Sequence, residues 1–147
     1  MIYRLCLSVE DIINNTINQS SQDFRGLRTQ KGDIDIVFED FVITADDRSA
    51  LVTEMKNISA SIYQQIKGYV CNWYIDDDLC FYINTNAPII GVDIIINNIV
   101  VYALLAWWYE TRLPELSLAY REKVDAQISA LISAVTPKFA ERRLRMF

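Results

Sequence analysis

Histidine is missing from this 147-residue sequence. It is the commonest general base near neutral pH and the usual protein ligand of zinc and non-haem iron. The sequence also contains no glycine-rich phosphate loop, no G-x-S-x-G nucleophile elbow and no recognisable pair of catalytic carboxylates. We therefore expect a protein that is not an enzyme, with no catalytic, cofactor-binding or metal-binding residues.

Cysteine is scarce, and its spacing matches no metal or redox motif. Cys6, Cys71 and Cys80 are odd in number, contain no C-x-x-C pair and each lie beside apolar or aromatic residues. This pattern favours buried free thiols in a reducing compartment over a disulfide or a metal site. The apolar stretch at the N-terminus is too short for a signal peptide and lacks a small-residue cleavage site, so we expect an intracellular origin.

Charge is absent from Ile94 to Tyr109, a run of sixteen residues. A membrane-spanning helix needs about twenty apolar residues, and Asn97 and Asn98 interrupt this shorter run. The segment therefore predicts a buried helix. A turn at Thr111 to Pro114 and a second amphipathic helix, Glu115 to Val135, follow, so the two helices should pack antiparallel.

The first half of the chain mixes helical and strand patterns. Ser8 and Asp11 form a capping-box pattern that opens a short helix ending near Asn18, and the polar residues 19–32 predict a surface loop. Thr44 and Asp47 form a second such pattern before a longer helix. Alternating or aromatic segments predict a strand over Tyr3, Leu5 and Leu7, an edge strand over Asp33 to Phe38, and a strand through Phe81 and Ile83 after an acidic turn at Asp76 to Asp78.

These patterns define the fold class as mainly α. We expect a small helical bundle with a C-terminal antiparallel helix hairpin and a minor β-element. Residues 1–137 should form this single domain, and residues 138–147 a basic C-terminal docking tail.

Three side-chain groups could bind a partner or could simply be ordinary surface or core. Asp76 to Asp78 could hold a hard cation, but a solvated turn is favoured. Six acids and no base occupy residues 33–47, which suits either a basic partner or plain solubility. The aromatic residues could stack on bases or sugars, but core or interface packing is favoured because nucleic-acid stacking needs a positive groove and the body is acidic. These residues are Trp73, Tyr74, Tyr82, Trp107, Trp108 and Tyr109.

The C-terminal tail reverses the charge of the chain. The last ten residues carry a net charge of +3 and the preceding 137 carry −8. Such a segment could dock on an acidic surface, or it could complement the macrodipole of the preceding helix. The predicted docking residues are Lys138, Phe139, Arg142, Arg143, Arg145, Met146 and Phe147.

The helix after the sequence TADD, the hairpin IVVYALLAWWYETRLPELSLAYREKVDAQISALISAV and the ending RRLRMF together resemble small head-to-tail connector proteins of tailed bacteriophages. The resemblance lies in this layout and covers about two-thirds of the chain. It implies a structural virion protein, made in the host cytoplasm, that forms a homo-oligomeric ring between portal and tail. It further implies contact with portal and neck proteins, proximity to genomic DNA without specific binding, and a neighbour-contacting arm at residues 19–32.

Two other functions compete with this expectation. The helix from Ile94 to Tyr109 could attach the protein to a membrane. Alternatively, Trp73, Tyr82 and Trp107 could line the pocket of a soluble ligand-binding module.

Overall fold

The computed structural model describes residues 1–31 and 42–137, and the side chains of residues 28–31 are not described. The elements in chain order are β1 (Ile2–Ser8), α1 (Val9–Lys31), a 3₁₀ turn (Ala45–Asp47), α2 (Arg48–Gln65), β2 (Val70–Ile75), β3 (Asp78–Asn84), α3 (Val92–Tyr109) and α4 (Pro114–Val135). This is a mainly helical fold with a small antiparallel sheet, as the sequence predicts.

The antiparallel hairpin of α3 and α4 forms the centre of the protein. Helix α3 is apolar on most of its circumference, and it has buried residues at both ends and in between, from Val92 to Tyr109. Pro114 occupies the first turn of α4, where its missing N–H would have no helical partner. The turn between the helices is closed by Arg112, whose guanidinium lies 3.7 Å from the centre of the Trp108 ring and donates to the Trp108 carbonyl at 2.9 Å.

The sheet has strand order β1-β3-β2, and both pairings are antiparallel. Leu5 pairs with Phe81, which pairs with Trp73 on the other side, so these side chains share the inner face. The outer face carries the alternate positions, including Arg4 and Tyr82. The predicted strands at residues 3–7 and 81–83 are therefore confirmed, whereas the edge strand predicted at 33–38 lies outside the described residues.

Helix α1 corrects the prediction of a loop. It continues to Lys31, well past Asn18. Ser20, one of the residues that suggested a loop, donates from Oγ to the Ile17 carbonyl within the helix, as Thr16 Oγ1 does to the Ile12 carbonyl. Ser20 Oγ also accepts a hydrogen bond from the Ile43 amide, so it joins two segments of the core. The prediction of a surface loop over residues 19–32 is thus wrong for residues 19–31, and contact of this segment with a neighbour stays a prediction.

Helix α2 begins as the sequence predicts. The Thr44 amide donates to Asp47 Oδ2 at 2.9 Å, which is one half of a capping box. Apolar residues at a spacing of three or four along this helix, and at the residue after its end, are buried; they are Leu51, Met55, Ile58, Ile62 and Ile66. The helix ends at Gln65, and residues 66–69 form the turn into β2.

The cysteines differ from the expectation of three buried thiols. Cys6 and Cys80 face each other across β1 and β3 and form a disulfide. Cys71 is free but exposed. The correction is a consequence of register, because cysteines 74 residues apart in sequence become direct neighbours only when the two strands pair.

Candidate docking surface

The predicted docking residues of the tail, Lys138 to Phe147, all lie outside the described part of the chain. What the structure does place is the end of α4 from which this tail continues. Thr85, directly after β3, donates from Oγ1 to the Val135 carbonyl at 2.6 Å. Its amide donates to the Met1 carbonyl at 3.2 Å. The N-terminus, the end of β3 and the end of α4 therefore meet at Thr85.

The segments that meet at Thr85 carry most of the exposed large hydrophobic side chains of the described residues. Within residues 1–27 and 42–137, six large hydrophobic residues are exposed, and five belong to segments that converge on Thr85. They are Met1, Ile2, Ile90, Ile94 and Ile132, and the sixth, Leu118, lies in the first turns of α4. Ile90 is 96% exposed and Ile94 is 62% exposed. We call these five residues the apolar end.

The other end of the sheet is acidic. Asp78 begins β3 opposite Ser8, and the Asp77 carbonyl accepts a hydrogen bond from the Val9 amide, which brings the β2–β3 turn to the start of α1. Glu10 in the first turn of α1 pairs with Arg48 at the start of α2. The predicted acidic turn is confirmed, and among the described residues no group of three or more potential ligands could hold a metal ion.

A hydrogen-bonded cluster that the sequence did not suggest joins α1 to the hairpin. Asp23 Oδ2 accepts from the Tyr109 hydroxyl at 3.0 Å and from the Tyr120 hydroxyl at 2.6 Å, and Asp23 Oδ1 accepts from Gln19 at 3.0 Å. The rings of Tyr109 and Tyr120 stack with centroids 5.9 Å apart. Burial, followed by the nearby Asp23 carboxylate, raises the pKa of Tyr109 well above its usual range.

The same two causes, with burial again the larger, raise the pKa of Tyr120. Both phenols therefore remain protonated donors at physiological pH, which suits a structural tie rather than proton transfer. The residues were missed because the loop prediction separated Asp23 from any helix. The missed signal was the continued spacing of Ile17, Ser20, Phe24 and Leu27 along one helical face.

The pocket proposed for a ligand-binding module from Trp73, Tyr82 and Trp107 is not formed. Trp73 pairs with Phe81 on the inner face of the sheet, whereas Tyr82 points to the outer face, 6.3 Å from the Tyr74 ring. Trp107 packs beside Trp108 in α3. The preference for core packing over base stacking is met by Trp108 and Tyr109, which are buried.

A groove of about 340 Å³ lies elsewhere, between α1 and α3. Six side-chain amides line it together with Val101 and Tyr102; they belong to Asn15, Asn18, Gln19, Gln22, Asn97 and Asn98. We call this feature the amide groove. The two asparagines that interrupt the apolar run of α3 are thus half-buried and face polar residues of α1.

By length and composition, α3 is the one helix in the described ranges that could cross a membrane, with a mean hydropathy of 1.5. More than half of it, 56%, is buried inside the protein, which is also typical of the core helix of a soluble fold. No family model, no curated protein and no solved structure matches this chain.

Proposed function

We propose that this protein is a structural, non-enzymatic component of a tailed bacteriophage particle, a head-to-tail connector that forms a ring between portal and tail. One observation carries the proposal. Among the described residues, five of the six exposed large hydrophobic side chains belong to segments that meet near Val135, where α4 ends and the basic tail continues. An exposed apolar patch of this kind marks a site of protein contact.

The composition of the tail indicates what kind of partner surface it would bind. Lys138 to Phe147 combine a net charge of +3 with three apolar anchors, Phe139, Met146 and Phe147. A partner that accepts it must offer an acidic surface with apolar pockets, and the portal or an adjoining neck protein is the proposed partner. In this arrangement the apolar end packs against the surface of the partner, and the tail inserts into the partner's pockets.

The disulfide supports a role in a particle. Cys6 and Cys80 are joined across the sheet, and such bonds persist in oxidising surroundings. A virion protein is made in the host cytoplasm, but after release the particle is exposed to oxidising surroundings outside the cell. Oxidation after release would strengthen the β-element when the particle can no longer be repaired.

Burial of α3 supports a protein contact rather than membrane attachment. Its buried residues include Ile99, Leu104 and Tyr109, which would have to leave the core before the helix could enter a bilayer. Membrane attachment would therefore require the loss of the hairpin itself.

The first experiment follows the native chain by mass spectrometry through soluble, membrane and dense-particle fractions of its source. Recovery at fixed stoichiometry in DNA-filled particles is expected. Recovery in membranes, or only as free soluble protein, would contradict the proposal.

The second experiment tests the surface. Deletion of Lys138 to Phe147, and separately the double substitution Ile90→Asp and Ile94→Asp, should each abolish incorporation into particles while circular dichroism remains unchanged. Leu118→Asp is the matched control, because Leu118 is also exposed but lies away from the apolar end. Normal incorporation of both altered proteins, or equal loss in the control, would contradict docking at this end.

A further inference from the structure

The amide groove is a polar site that the connector role does not use. Asn15, Asn18 and Gln22 fall on one face of α1, and Asn97 and Asn98 oppose them from α3. Within the described chain, the side chains of these five residues make no hydrogen bond to another protein group. Their donors and acceptors are therefore available to a bound molecule.

The side chains that line the amide groove indicate which kind of ligand it could bind. A carboxamide presents two N–H donors and a carbonyl acceptor, which matches hydroxyl groups that both donate and accept. None of the groove residues is charged. Phosphate backbones need lysine or arginine, so nucleic acid fits poorly, and the polar walls do not suit a purely apolar molecule.

Tyr102 further limits the chemical class of the ligand. Its ring lines the groove, with the Tyr120 ring at a centroid distance of 5.9 Å and Lys123 Nζ 5.6 Å from the ring centre. An aromatic ring beside several amides offers an apolar surface for the C–H face of a sugar ring, while the amides meet its hydroxyls. An extended peptide would also find amide partners but has no such need for the ring.

We propose that the amide groove binds a neutral carbohydrate. The volume of about 340 Å³ lies at the lower end of the range for small-ligand sites, which suits one or two sugar units of a glycan. The site is independent of the connector role, since it lies between α1 and α3 and uses no residue of the apolar end.

The test is a nitrogen-15 NMR titration of the full chain with neutral oligosaccharides of glucose, galactose, mannose and N-acetylglucosamine. At least one sugar at about 10 mM, a range suited to weak sites, should shift the side-chain amide signals of Asn97 and Asn98. Asn18→Ala should weaken that sugar's binding about tenfold, which corresponds to hydrogen bonds worth about 1.4 kcal/mol in total. Asn14→Ala is the matched control, because Asn14 is also an exposed asparagine of α1 but does not line the groove.

Both Asn→Ala changes sit on an exposed helical surface where alanine favours helix, so the fold should survive them. No shift with any of the four sugars would overturn the proposal. Equal weakening by Asn14→Ala and Asn18→Ala would also overturn it. Shifts produced by a neutral peptide of similar length but not by sugars would replace the carbohydrate with a polypeptide ligand.

Discussion

The sheet and the helical hairpin are stabilised in different ways. The hairpin of α3 and α4 is stabilised by buried side chains in both helices and by hydrogen bonds from Tyr120 to Asp23 and from Arg112 to the Trp108 carbonyl. The sheet is short, has one covered face, and depends on a covalent bond between Cys6 and Cys80. The bond fixes the edge strand β1 to the central strand β3, so its loss should be felt first in the sheet. This difference predicts which changes should lower the stability of the sheet and which should lower that of the hairpin.

Reduction of the Cys6–Cys80 bond should have the largest effect on stability. The bond closes a segment of 74 residues, and loss of a disulfide of this span typically lowers the free energy of unfolding by about 2–4 kcal/mol. Urea unfolding with and without dithiothreitol measures the change. Cys71→Ser, at the exposed free thiol, should leave the curve unchanged. Identical curves with and without the reductant would show that the sheet does not depend on the bond.

Asp23→Ala should have the next largest effect, on the hairpin side of the comparison. It leaves two buried tyrosine hydroxyls and Gln19 without their acceptor, so we expect a loss of about 2 kcal/mol. Asp23→Asn keeps one acceptor oxygen and should lose less. Chemical unfolding measures both, with the exposed Asp125→Ala as control. An Asp23→Ala variant as stable as the control would show that burial alone fixes α1 to the hairpin.

Alkaline pH should weaken the same cluster. The pKa values of Tyr109 and Tyr120 are raised above the ordinary value near 10, so the folded protein keeps two protons that the unfolded chain releases. This stabilisation is complete below about pH 10 and is lost as pH rises further, at about 1.4 kcal/mol per pH unit for each tyrosine. Absorbance at 295 nm should show their ionisation only together with unfolding.

The double variant Tyr109→Phe and Tyr120→Phe is the control for that titration. It should lose the absorbance step that accompanies unfolding and should show a shallower fall of stability above pH 10. Ionisation of both tyrosines in the folded protein would contradict the buried hydrogen-bonded arrangement.

The predictability of the two regions also differs. The hairpin was predictable because α3 is a long uncharged apolar segment, α4 repeats apolar residues at helical spacing, and Pro114 marks the turn. The acidic turn and the strand through Phe81 were predictable from alternation and composition. The disulfide was not, since register is a tertiary property and no local pattern pairs Cys6 with Cys80.

The site was less predictable than the fold. The sequence pointed to the tail, which lies outside the described residues, and could not show that Met1, Ile90 and Ile132 meet at one end. That convergence depends on Thr85 bonding to two distant segments. The long α1 was missed because a serine hydroxyl, such as that of Ser20, can donate to a backbone carbonyl inside a helix as well as in a turn.

The ion pair between Glu10 and Arg48 should contribute least. Both side chains are more than half exposed, so solvent and salt screen their attraction, and exposed pairs contribute about 0–1 kcal/mol. Yet the pair joins the first turns of α1 and α2 at the acidic end, where Asp47 and Asp77 add negative charge. Arg48→Ala should therefore destabilise the protein slightly more than Glu10→Ala, because only the first leaves those acids without their cation. Thermal unfolding at low and high salt measures the difference in stability between the two variants, which should shrink in high salt. A larger loss of stability for Glu10→Ala would mean that the interaction of Glu10 with the N-terminus of α1 matters more than the charges of the acidic end.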